Sequence, residues 1–387
     1  MFTYKCLNPI AAIGLNNFSD QYTKVEENET ADAILVRSAK MHEMEFGSEL
    51  KCIARAGAGV NNIPLDRCAE QGIVVFNTPG ANANGVKELF IFAAIASIRD
   101  VIGGISWTKS EAGNPDIAAL TEKEKKKFVG NELMGKTLGV IGLGAIGAKV
   151  ANTAIDLGMK VVGFDAFLND NMKAALNPLV QIAGSNEEVV AASDMITLHV
   201  PALPSTVGMI NSEMLAHAND GLVVINLARD TLVDIPSMKA ALESGKVAKY
   251  FCDFPTAEAS ELPNTILSPH LGASTEESED NCAVMAVQEV VDFLENGNVR
   301  NSVNYPAVSL GALNGRRITV CHKASLDAAE ISAFLTNERG KKVTAMATKT
   351  RGDYAYTMID AEGVCPKCAA ALAEKYADVI KTRVLGM

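Results

Sequence analysis

The stretch KTLGVIGLGAIGAKVANTAIDLGMKVVGFD, residues 136–165, decides the fold of this chain. It begins with an apolar strand pattern, passes through Gly142-Leu-Gly144-Ala-Ile-Gly147, continues as an amphipathic helix and ends in a second strand closed by Asp165. In such a unit the first glycine permits the tight turn, the second lets the backbone approach a pyrophosphate, and the third lets helix and strand pack closely. The stretch therefore predicts a dinucleotide-binding βαβ unit.

The same stretch indicates which dinucleotide is bound. The first turn of the helix offers free N–H groups and a positive dipole end to the phosphates. Asp165 lies eighteen residues past Gly147, where a carboxylate can accept hydrogen bonds from both ribose hydroxyls and would repel a 2′-phosphate. Ala166 and Phe167 follow it, so no basic side chain comes next. The pattern favours NAD over NADP.

Strand and helix patterns alternate on both sides of this unit. The strands are short runs rich in Val, Ile and Ala, as expected where helices cover both faces of a parallel sheet. Repeated βα units predict doubly wound parallel sheets with right-handed crossovers. The predicted strands are 31–37, 52–56, 72–77, 136–142, 160–165, 194–200, 221–228, 246–253 and 265–270, and a long helix is predicted over 275–296.

Two segments differ from this alternation. Residues 110–135 are polar and charged, and their run EKEKKK is typical of a solvated helix face. The last seventy or so residues predict three strands, a helix, and a second helix running into a short strand. We interpret residues 315–387 as a small α+β domain with an antiparallel sheet.

Composition excludes several classes of protein. Of 387 residues 48% are apolar and 21% charged, so a large core can form. A net charge of −11 argues against a nucleic-acid partner, which would need clustered Lys and Arg. No apolar run reaches the roughly 18 residues of a membrane span, and no signal peptide is recognised. Eight scattered cysteines without a secretory context predict a cytoplasmic protein.

Three polar side chains follow the dinucleotide motif at or just past predicted strand ends. They are Arg229 in INLARD, Glu258 in CDFPTAE and His270 in SPHLGAST. Ligands of open α/β sheets bind outside the carboxyl ends of the strands, so each position is expected to face the cofactor. His270 is one of only five histidines in the chain, and histidine is the side chain whose ordinary pKa lies nearest neutrality.

These motifs resemble those of a known family. GLGAIG, HVP, INLAR, CDFPTAE and PHLGAS occur in the order and approximate spacing of the D-isomer-specific 2-hydroxyacid dehydrogenases. RAGAGVNNI (55–63) and FNTPGANANGVKEL (76–89) resemble substrate-domain motifs of one branch, the D-3-phosphoglycerate dehydrogenases. The resemblance covers about residues 30–300. It implies a flavodoxin-like substrate domain and a Rossmann NAD domain.

The resemblance also implies catalytic roles. Arg229 would bind the carboxylate and carbonyl oxygen of the substrate, since its planar fork suits an α-hydroxy or α-keto acid. His270 would exchange a proton with the C2 oxygen while hydride moves to or from the nicotinamide. Glu258 would orient His270 and raise its pKa.

Further positions match cofactor or substrate contacts of the family. Asp253 would meet the carboxamide side of the nicotinamide. The backbone N–H groups of 56–60 and the side chain of Arg55 would face the substrate. The cofactor positions are Thr78, Gly142, Gly144, Ala145, Ile146, Gly147, Asp165, Val200, Leu227, Ala228, Asp253, His270, Gly272 and Ala273, and the substrate positions are Arg55, Ala56, Gly57 and Arg229; no metal site is expected.

The chain departs from the family pattern near the catalytic residues. Asp230 follows Arg229 where the family usually has Gly, and the segment from Glu258 to His270 is short. An alignment on Phe-Pro-Thr would place Ala257 at the Glu position and leave Glu258 one residue away.

The resemblance implies that the substrate is a small anionic 2-hydroxy acid. The implied reaction is oxidation of 3-phospho-D-glycerate to 3-phosphohydroxypyruvate with NAD, the first step of L-serine synthesis. Arg37, Lys40 and Arg55 are candidate partners of the phosphate. One alternative is another D-2-hydroxyacid dehydrogenase, such as a glyoxylate or hydroxypyruvate reductase, which needs no phosphate site. The other, of a different class, is a dinucleotide-sensing, corepressor-like binding protein.

The expected organisation has three parts. Residues 1–100 and 275–300 would form a discontinuous substrate domain, 101–274 the NAD domain and 315–387 a domain resembling the ACT module. That module lacks the usual ligand-turn residues, so we expect it to serve assembly more than serine feedback, in a homodimer or homotetramer. The pair Cys365 and Cys368 has no second pair to complete a metal site, and the sequence favours two ordinary thiols.

Overall fold

The computed structural model describes residues 1–386. The fold separates into two compact units, each with its own parallel sheet. One comprises residues 1–82 together with the described residues from Glu276 onwards, and the other is the continuous segment Ala83–Thr275. The sequence placed 83–100 with the first sheet, whereas the helix over these residues packs on the second sheet.

The first unit contains a five-stranded parallel sheet of order β2-β1-β3-β4-β5, the flavodoxin-like order. The third strand, AILV, is buried along its whole length because helices cover both of its faces. The strands are β1 Phe2–Cys6, β2 Tyr22–Lys24, β3 Ala33–Val36, β4 Cys52–Arg55 and β5 Val74–Asn77, and the helices are α1 Ala12–Leu15, α2 Leu65–Glu70 and α12 Glu276–Val291, which continues as a π-helical turn over Asp292–Asn296.

Residues that follow α12 complete the edge of this first sheet. Asn304 accepts a hydrogen bond from the N–H of Val75 (2.9 Å) and donates one to the carbonyl of Ile73 (2.9 Å). The Tyr305 hydroxyl donates to the carbonyl of Ala69 at 2.7 Å. The first sheet is therefore completed by residues more than two hundred positions away in the chain.

The second unit contains a seven-stranded parallel sheet of order β12-β11-β10-β9-β6-β7-β8, the order of a Rossmann fold with one added strand. Its strands are β6 Thr137–Ile141, β7 Lys160–Phe164, β8 Gln181–Ile182, β9 Met195–Leu198, β10 Leu222–Asn226, β11 Val247–Cys252 and β12 Thr265–Leu267. Its helices are α3 Ala83–Ile98, α4 Val101–Ser110, α5 Ile117–Glu124, α6 Ala145–Asp156, α7 Asp170–Ala174, α8 Asn186–Ala192, α9 Ser212–Ala216, α10 Ile235–Ser244 and α11 Ala257–Ser260, with 3₁₀ turns at Lys125–Phe128 and Asp230–Leu232.

The C-terminal segment forms the antiparallel sheet expected from its sequence, in βαββαβ order with strand order β14-β15-β13-β16. Both of its helices pack on one face of the sheet, around a core that includes Ile318, Leu335 and Leu372. The elements are β13 Arg317–Lys323, α13 Ala328–Ala333 with a π-helical turn over Phe334–Glu338, β14 Lys342–Arg351, β15 Tyr354–Glu362, α14 Pro366–Lys375 and β16 Val379–Leu385.

The other face of this sheet packs against the rest of the first unit. Tyr356 and Met358 are buried in one core with α12 and the first parallel sheet. Arg317 is fully buried, pairs with Asp360, and donates to the carbonyls of Asn296 (2.6 Å) and Gly311 (3.0 Å). These contacts explain why the C-terminal segment does not separate as a third compact unit.

No single helix among residues 1–386 is long and apolar enough to cross a membrane. Helices α3 and α4 pass a length and hydropathy test only as a pair, and they are bent by 75° at the break between them.

Candidate active site

The glycine-rich turn between β6 and α6 has the geometry that its sequence predicts. A Cβ atom at Gly147 would lie 1.9 Å from the carbonyl oxygen of Gly142, so only glycine allows this packing. Gly142 adopts φ 93°, where a side chain would also meet the carbonyl of His199 at 2.7 Å. Gly144, in contrast, faces open space, with no described atom within 4 Å of its Cβ position. Two glycines therefore shape the turn, and the third leaves room for a ligand.

The helix that follows this turn presents unpaired backbone donors. Gly144 is the N-cap of α6 and has no side chain to accept from the first N–H groups of the helix. Ala145 and Ile146 form the start of the first turn, as expected for phosphate contacts. Free N–H groups and the helix dipole make this end suitable for a pyrophosphate.

Asp165 follows β7 and is hydrogen-bonded to the same turn. One carboxylate oxygen accepts from the N–H of Leu143 (2.9 Å), and the other accepts from the N–H of Phe167 (2.8 Å). The residue is only half-buried, so its remaining lone pairs are open to a ligand. The carboxylate thus stabilises the glycine-rich turn and is accessible for ribose hydroxyls.

Arg229 lies just past the carboxyl end of β10, in a backbone fixed by Asn226. The Asn226 side chain donates to the carbonyl of Arg229 (2.8 Å) and accepts from the N–H of Ala228 (3.1 Å). The guanidinium is half-buried and lies over the ring of Phe254, 5.4 Å from its centroid. Burial lowers the pKa of Arg229, but an arginine stays charged at neutral pH. The site therefore contains a fixed cation for an anionic substrate.

His270 follows β12 in an unusual backbone conformation. Its φ is 58°, the left-handed region, which non-glycine residues seldom adopt. Its N–H donates to the carbonyl of Ser268 (3.0 Å), and the Ser274 hydroxyl donates to the His270 carbonyl (3.1 Å). The imidazole is exposed and contacts the ring of Phe254 at a centroid distance of 4.5 Å.

Phe254 therefore joins the two residues that the sequence singled out as chemical groups. The rings of Phe254 and His270 are tilted by 47°, and the Arg229 guanidinium lies over the same phenylalanine ring. The one sequence signal for Phe254 is an aromatic side chain directly after the strand-end acid Asp253 in CDFPTAE, and this signal does not by itself predict contact with Arg229 or His270.

Asp253 is the buried acid of this loop, with a side chain 1% exposed. One of its oxygens accepts from the Ser268 hydroxyl and from the N–H of Leu271 (2.8 Å), and the other accepts from the N–H of Gly272 (2.8 Å). These donors lie on both sides of His270 in the chain. Contact of Asp253 with the nicotinamide stays a prediction. The observed hydrogen bonds show that Asp253 also holds the loop that contains His270.

Glu258 lies in the first turn of α11, which Thr256 caps by accepting from the N–H of Ala259 (3.1 Å). The glutamate is exposed and borders a small cavity of about 160 Å³ lined also by Asp230, Tyr250 and Phe254. Glu258 thus lines the same cavity as Phe254, whose ring contacts His270. An orienting hydrogen bond between them stays a prediction.

The other cofactor positions of this unit lie along one edge of its sheet. They follow the carboxyl ends of neighbouring strands, which is where parallel sheets bind ligands. Gly272 is packed so tightly that a Cβ there would lie 3.1 Å from Asp253. The positions are Ala145 and Ile146 after β6, Val200 after β9, Leu227 and Ala228 after β10, and Gly272 and Ala273 after β12.

In the first unit, the residues expected near substrate lie at the ends of β4 and β5. The N–H of Gly57 donates to the Thr78 hydroxyl (2.8 Å), and the N–H of Thr78 donates to the Gly57 carbonyl (3.1 Å). Arg55 donates through Nε to the carbonyl of Arg37 at 3.0 Å. Ala56 lies between these two anchors, so 55–57 and Thr78 form one connected loop pair.

The candidate phosphate partners differ in their surroundings. Arg37 pairs with Glu279 at 2.5 Å, so part of its charge is already compensated. Lys40 is exposed. A phosphate role for Arg37 would therefore require exchange of this ion pair.

Comparison with known proteins relates these features to a family. Residues 91–272 match the family model described as D-isomer specific 2-hydroxyacid dehydrogenase, NAD binding domain. The chain is 33% identical over 364 residues to D-3-phosphoglycerate dehydrogenase of Synechocystis sp. (86% of this chain, 63% of the relative) and 36% identical over 296 residues to that of Bacillus subtilis (73% and 53%).

A solved structure is similar over most of the fold. It is the NAD⁺-bound 3-phosphoglycerate dehydrogenase of Entamoeba histolytica, 27% identical, with a TM-score of 0.62 over 78% of this chain and 98% of that one. The chain spans 63% and 53% of the length of the two curated relatives above. Over residues 91–272 this chain is therefore similar to the NAD-binding domain of the D-isomer-specific 2-hydroxyacid dehydrogenases.

Proposed function

We propose that this chain is an NAD-dependent dehydrogenase that oxidises 3-phospho-D-glycerate to 3-phosphohydroxypyruvate, the first step of L-serine synthesis. The observation that carries the proposal is the contact of Arg229 and His270 with one aromatic ring, Phe254. The Arg229 guanidinium is a fixed cation, the His270 imidazole is exposed, and both contact the Phe254 ring. Together they provide the two groups that oxidation of a 2-hydroxy acid requires. The names of the curated relatives support this substrate.

The residues around the glycine-rich turn suit NAD. Gly144 leaves space for the pyrophosphate, the start of α6 offers donors, and Asp165 offers carboxylate oxygens to the ribose. Ala166 and Phe167 bring no cation for a 2′-phosphate. When bound, NAD supplies the hydride acceptor for the reaction.

The roles of the protein side chains follow from the charge of the substrate and from the proton that the reaction releases. Arg229 binds the substrate carboxylate through its planar fork and places C2 near His270. Neutral His270 accepts the C2 hydroxyl proton as the C2–H bond breaks, so the product is a ketone and the imidazole becomes protonated. Glu258 stabilises that imidazolium, and Asp253 fixes the loop from which the histidine extends.

The first test is a survey of NAD-linked rates across 2-hydroxy acids, with and without a phosphate group. We expect the highest kcat/KM on 3-phospho-D-glycerate, because an additional anion-binding site would bind its phosphate group. Equal or higher rates on the unphosphorylated acid would favour a glyoxylate or hydroxypyruvate reductase. NAD binding without turnover on any acid would favour the corepressor-like alternative.

A second test removes the acid/base. His270→Ala is expected to lower kcat on the order of 1000-fold, with a much smaller change in NAD affinity, because a positioned acid/base contributes about 10²–10⁴-fold. His217→Ala is the matched control, since His217 is exposed at the end of α9. Turnover near the wild-type value in the His270 variant would reject the assignment.

We also propose a cytoplasmic homodimer or homotetramer in which the C-terminal βαββαβ segment serves assembly, as in ACT modules. The free state of all eight cysteines suits a reducing compartment. Light scattering of the purified chain tests the oligomeric state, and fractionation tests the compartment. Strong inhibition of initial rates by low concentrations of serine would contradict the assembly role.

A further inference from the structure

The start of α14 contains two cysteines in a distinctive arrangement. Cys365 is the N-cap of the helix, Pro366 opens its first turn, and Cys368 completes that turn. A spacing of three residues places both side chains on the same face of the helix, and their sulfur atoms are 3.3 Å apart. The two thiols are thus within reach of one another without movement of the helix backbone.

The two cysteines differ in their access to solvent. Cys365 is half-exposed, whereas Cys368 is 3% exposed and belongs to the core beneath α13 and α14. A reagent from solution can therefore reach Cys365 and not Cys368. One accessible thiol backed by one protected thiol is the arrangement of an attacking and a resolving cysteine.

The surroundings of Cys365 favour its thiolate. Hydrogen bonds from the Cys368 thiol and from N–H groups in the first turn of α14 lower the pKa of Cys365, and the ammonium of Lys341 adds to this effect. That ammonium lies 3.6 Å from where a Cβ of Gly363 would lie, just before the helix. Thiolates, not thiols, attack disulfides, so these groups raise the reactivity of the accessible cysteine.

The other cysteines of the chain provide a contrast. Among them, Cys52, Cys68 and Cys321 are buried, and burial raises the pKa of each thiol to about 12. Cys6 is half-buried, and burial also raises its pKa. The sequence favoured two ordinary thiols at 365 and 368; the short sulfur–sulfur distance and the lowered pKa of Cys365 distinguish this pair from these four thiols.

We propose that Cys365 and Cys368 form a redox-active dithiol that low-molecular-weight disulfides oxidise reversibly to an intramolecular disulfide. The Cys365 thiolate attacks one sulfur of the small disulfide, forms a mixed disulfide and releases the other sulfur as a thiolate. Cys368 then loses its proton, attacks the Cys365 sulfur and displaces the second small thiolate. Two electrons pass from the protein dithiol to the small disulfide, which becomes two thiols. This modification site is independent of the dehydrogenase proposal.

The test treats the full-length protein with oxidised glutathione, blocks the remaining thiols with N-ethylmaleimide, and maps the peptides by mass spectrometry. The wild type is expected to form a Cys365–Cys368 disulfide that dithiothreitol reverses. Cys368→Ser is expected to stop at a stable glutathione adduct on Cys365, and Cys365→Ser to remove the reaction at this site. Cys6→Ser, the control, should leave the oxidation rate within about twofold of wild type.

Three outcomes would overturn the proposal. They are a wild type whose Cys365 stays fully alkylatable in excess oxidised glutathione, a glutathione adduct on wild-type Cys365 that never resolves to the disulfide, and equal oxidation of Cys368 in the Cys365→Ser variant. Far-UV circular dichroism of each variant verifies folding. A further measurement uses the wild-type protein, in which the rate of alkylation of Cys365 is followed as a function of pH. Its pH midpoint should lie below that of a cysteine in an unfolded peptide, and an equal midpoint would contradict the proposed activation.

Discussion

Asp165 and Asp253 occupy equivalent places after two strands of the same sheet, yet their surroundings differ. Asp165 is half-buried, bonds two backbone N–H groups and retains lone pairs toward solvent. Asp253 is 1% exposed and accepts from three donors of the loop around His270. An acid at the end of a parallel strand can therefore be available to a ligand or can be structural, and burial decides between the two.

The comparison also separates two ways of fixing a loop. The turn at Gly142–Gly147 is shaped mainly by missing side chains, because two of its glycines have no room for a Cβ. The His270 loop is shaped by one side chain, Asp253, and contains a non-glycine residue at φ 58°. The turn at Gly142–Gly147 should therefore tolerate loss of the Asp165 carboxylate, whereas the His270 loop should not tolerate loss of the Asp253 carboxylate.

Among the variants that test this comparison, the largest effect on catalysis is expected for Asp253→Asn. The amide places an NH₂ group against backbone donors and leaves at least one of them unsatisfied, which costs about 1–3 kcal/mol of unfolding free energy. Displacement of His270 should lower kcat roughly 100-fold, the effect of a misplacement of about 1 Å. Steady-state kinetics and denaturant unfolding measure both, with the exposed Asp220→Asn as control. A kcat within about twofold of wild type would contradict the loop-fixing role.

The next effect concerns the glycine turn itself. Gly147→Ala forces a Cβ to within 1.9 Å of the Gly142 carbonyl, so the turn or the helix must shift. We expect a loss of about 3 kcal/mol of unfolding free energy, as for severe overpacking. Gly144→Ala, whose Cβ meets open space, should change stability by less than about 0.5 kcal/mol while weakening NAD binding. Equal stabilities of the two variants would argue against steric control of the turn.

A third carboxylate extends the comparison, because Glu289 is buried without the donors that Asp253 has. One of its oxygens accepts from Asn301 (2.6 Å), and the other is buried with no described partner. Burial raises the pKa of Glu289 to about 8. The folded protein thus keeps a proton that the unfolded chain releases near pH ~4.3, so stability falls as pH rises between these values.

Glu289→Gln should remove this pH dependence, since the amide resembles the protonated acid. The wild type should lose up to roughly 1.4 kcal/mol per pH unit in this window relative to the variant. Thermal or denaturant unfolding at pH 5, 6, 7 and 8 measures the difference. Parallel stability curves for the two proteins would show that Glu289 is ionised in the fold.

The smallest effect is expected for Asp165→Asn. The amide still offers one acceptor to the turn, and the site is partly open to water, so unfolding free energy should change by less than about 1 kcal/mol. NAD affinity should fall about tenfold, because neutral acceptors bind ribose hydroxyls less strongly than a carboxylate does. Titration calorimetry with NAD measures this. A large fall in kcat with unchanged affinity would reverse the contrast drawn with Asp253.

The sequence predicted the fold best where its physical constraints are local. Continuous apolar runs predicted the buried strands, and 31–37 contains β3 at Ala33–Val36. The turn at Gly142–Gly147 was predicted because steric exclusion acts on neighbouring residues. Strands β1 and β2 were not predicted. Polar and apolar residues alternate within β1, FTYKC, so it is not a continuous apolar run, and β2 has only three residues.

The site was less predictable wherever distant residues decide. The sequence placed Arg229 and His270 at strand ends correctly, but their shared contact with Phe254 depends on where β10, β11 and β12 lie in the sheet. The structural bonds of Asp253 could not be predicted either, because they depend on the path of a loop fifteen or more residues later. Roles implied for Glu258 and Thr78 remain predictions.

The first sheet depends on Asn304 and Tyr305, and this has a consequence for synthesis on the ribosome. The nascent chain emerges from its amino end, so β5 is exposed before the residues that complete its edge have been translated. The continuous segment Ala83–Thr275 has no such delay. We expect ribosome-arrested chains in which residue 275, but not Asn304, has left the exit tunnel to resist protease over 83–275 and to be cleaved within 1–82. The amino-terminal part, although made first, therefore reaches its native state last and is the part of the polypeptide most in need of chaperones.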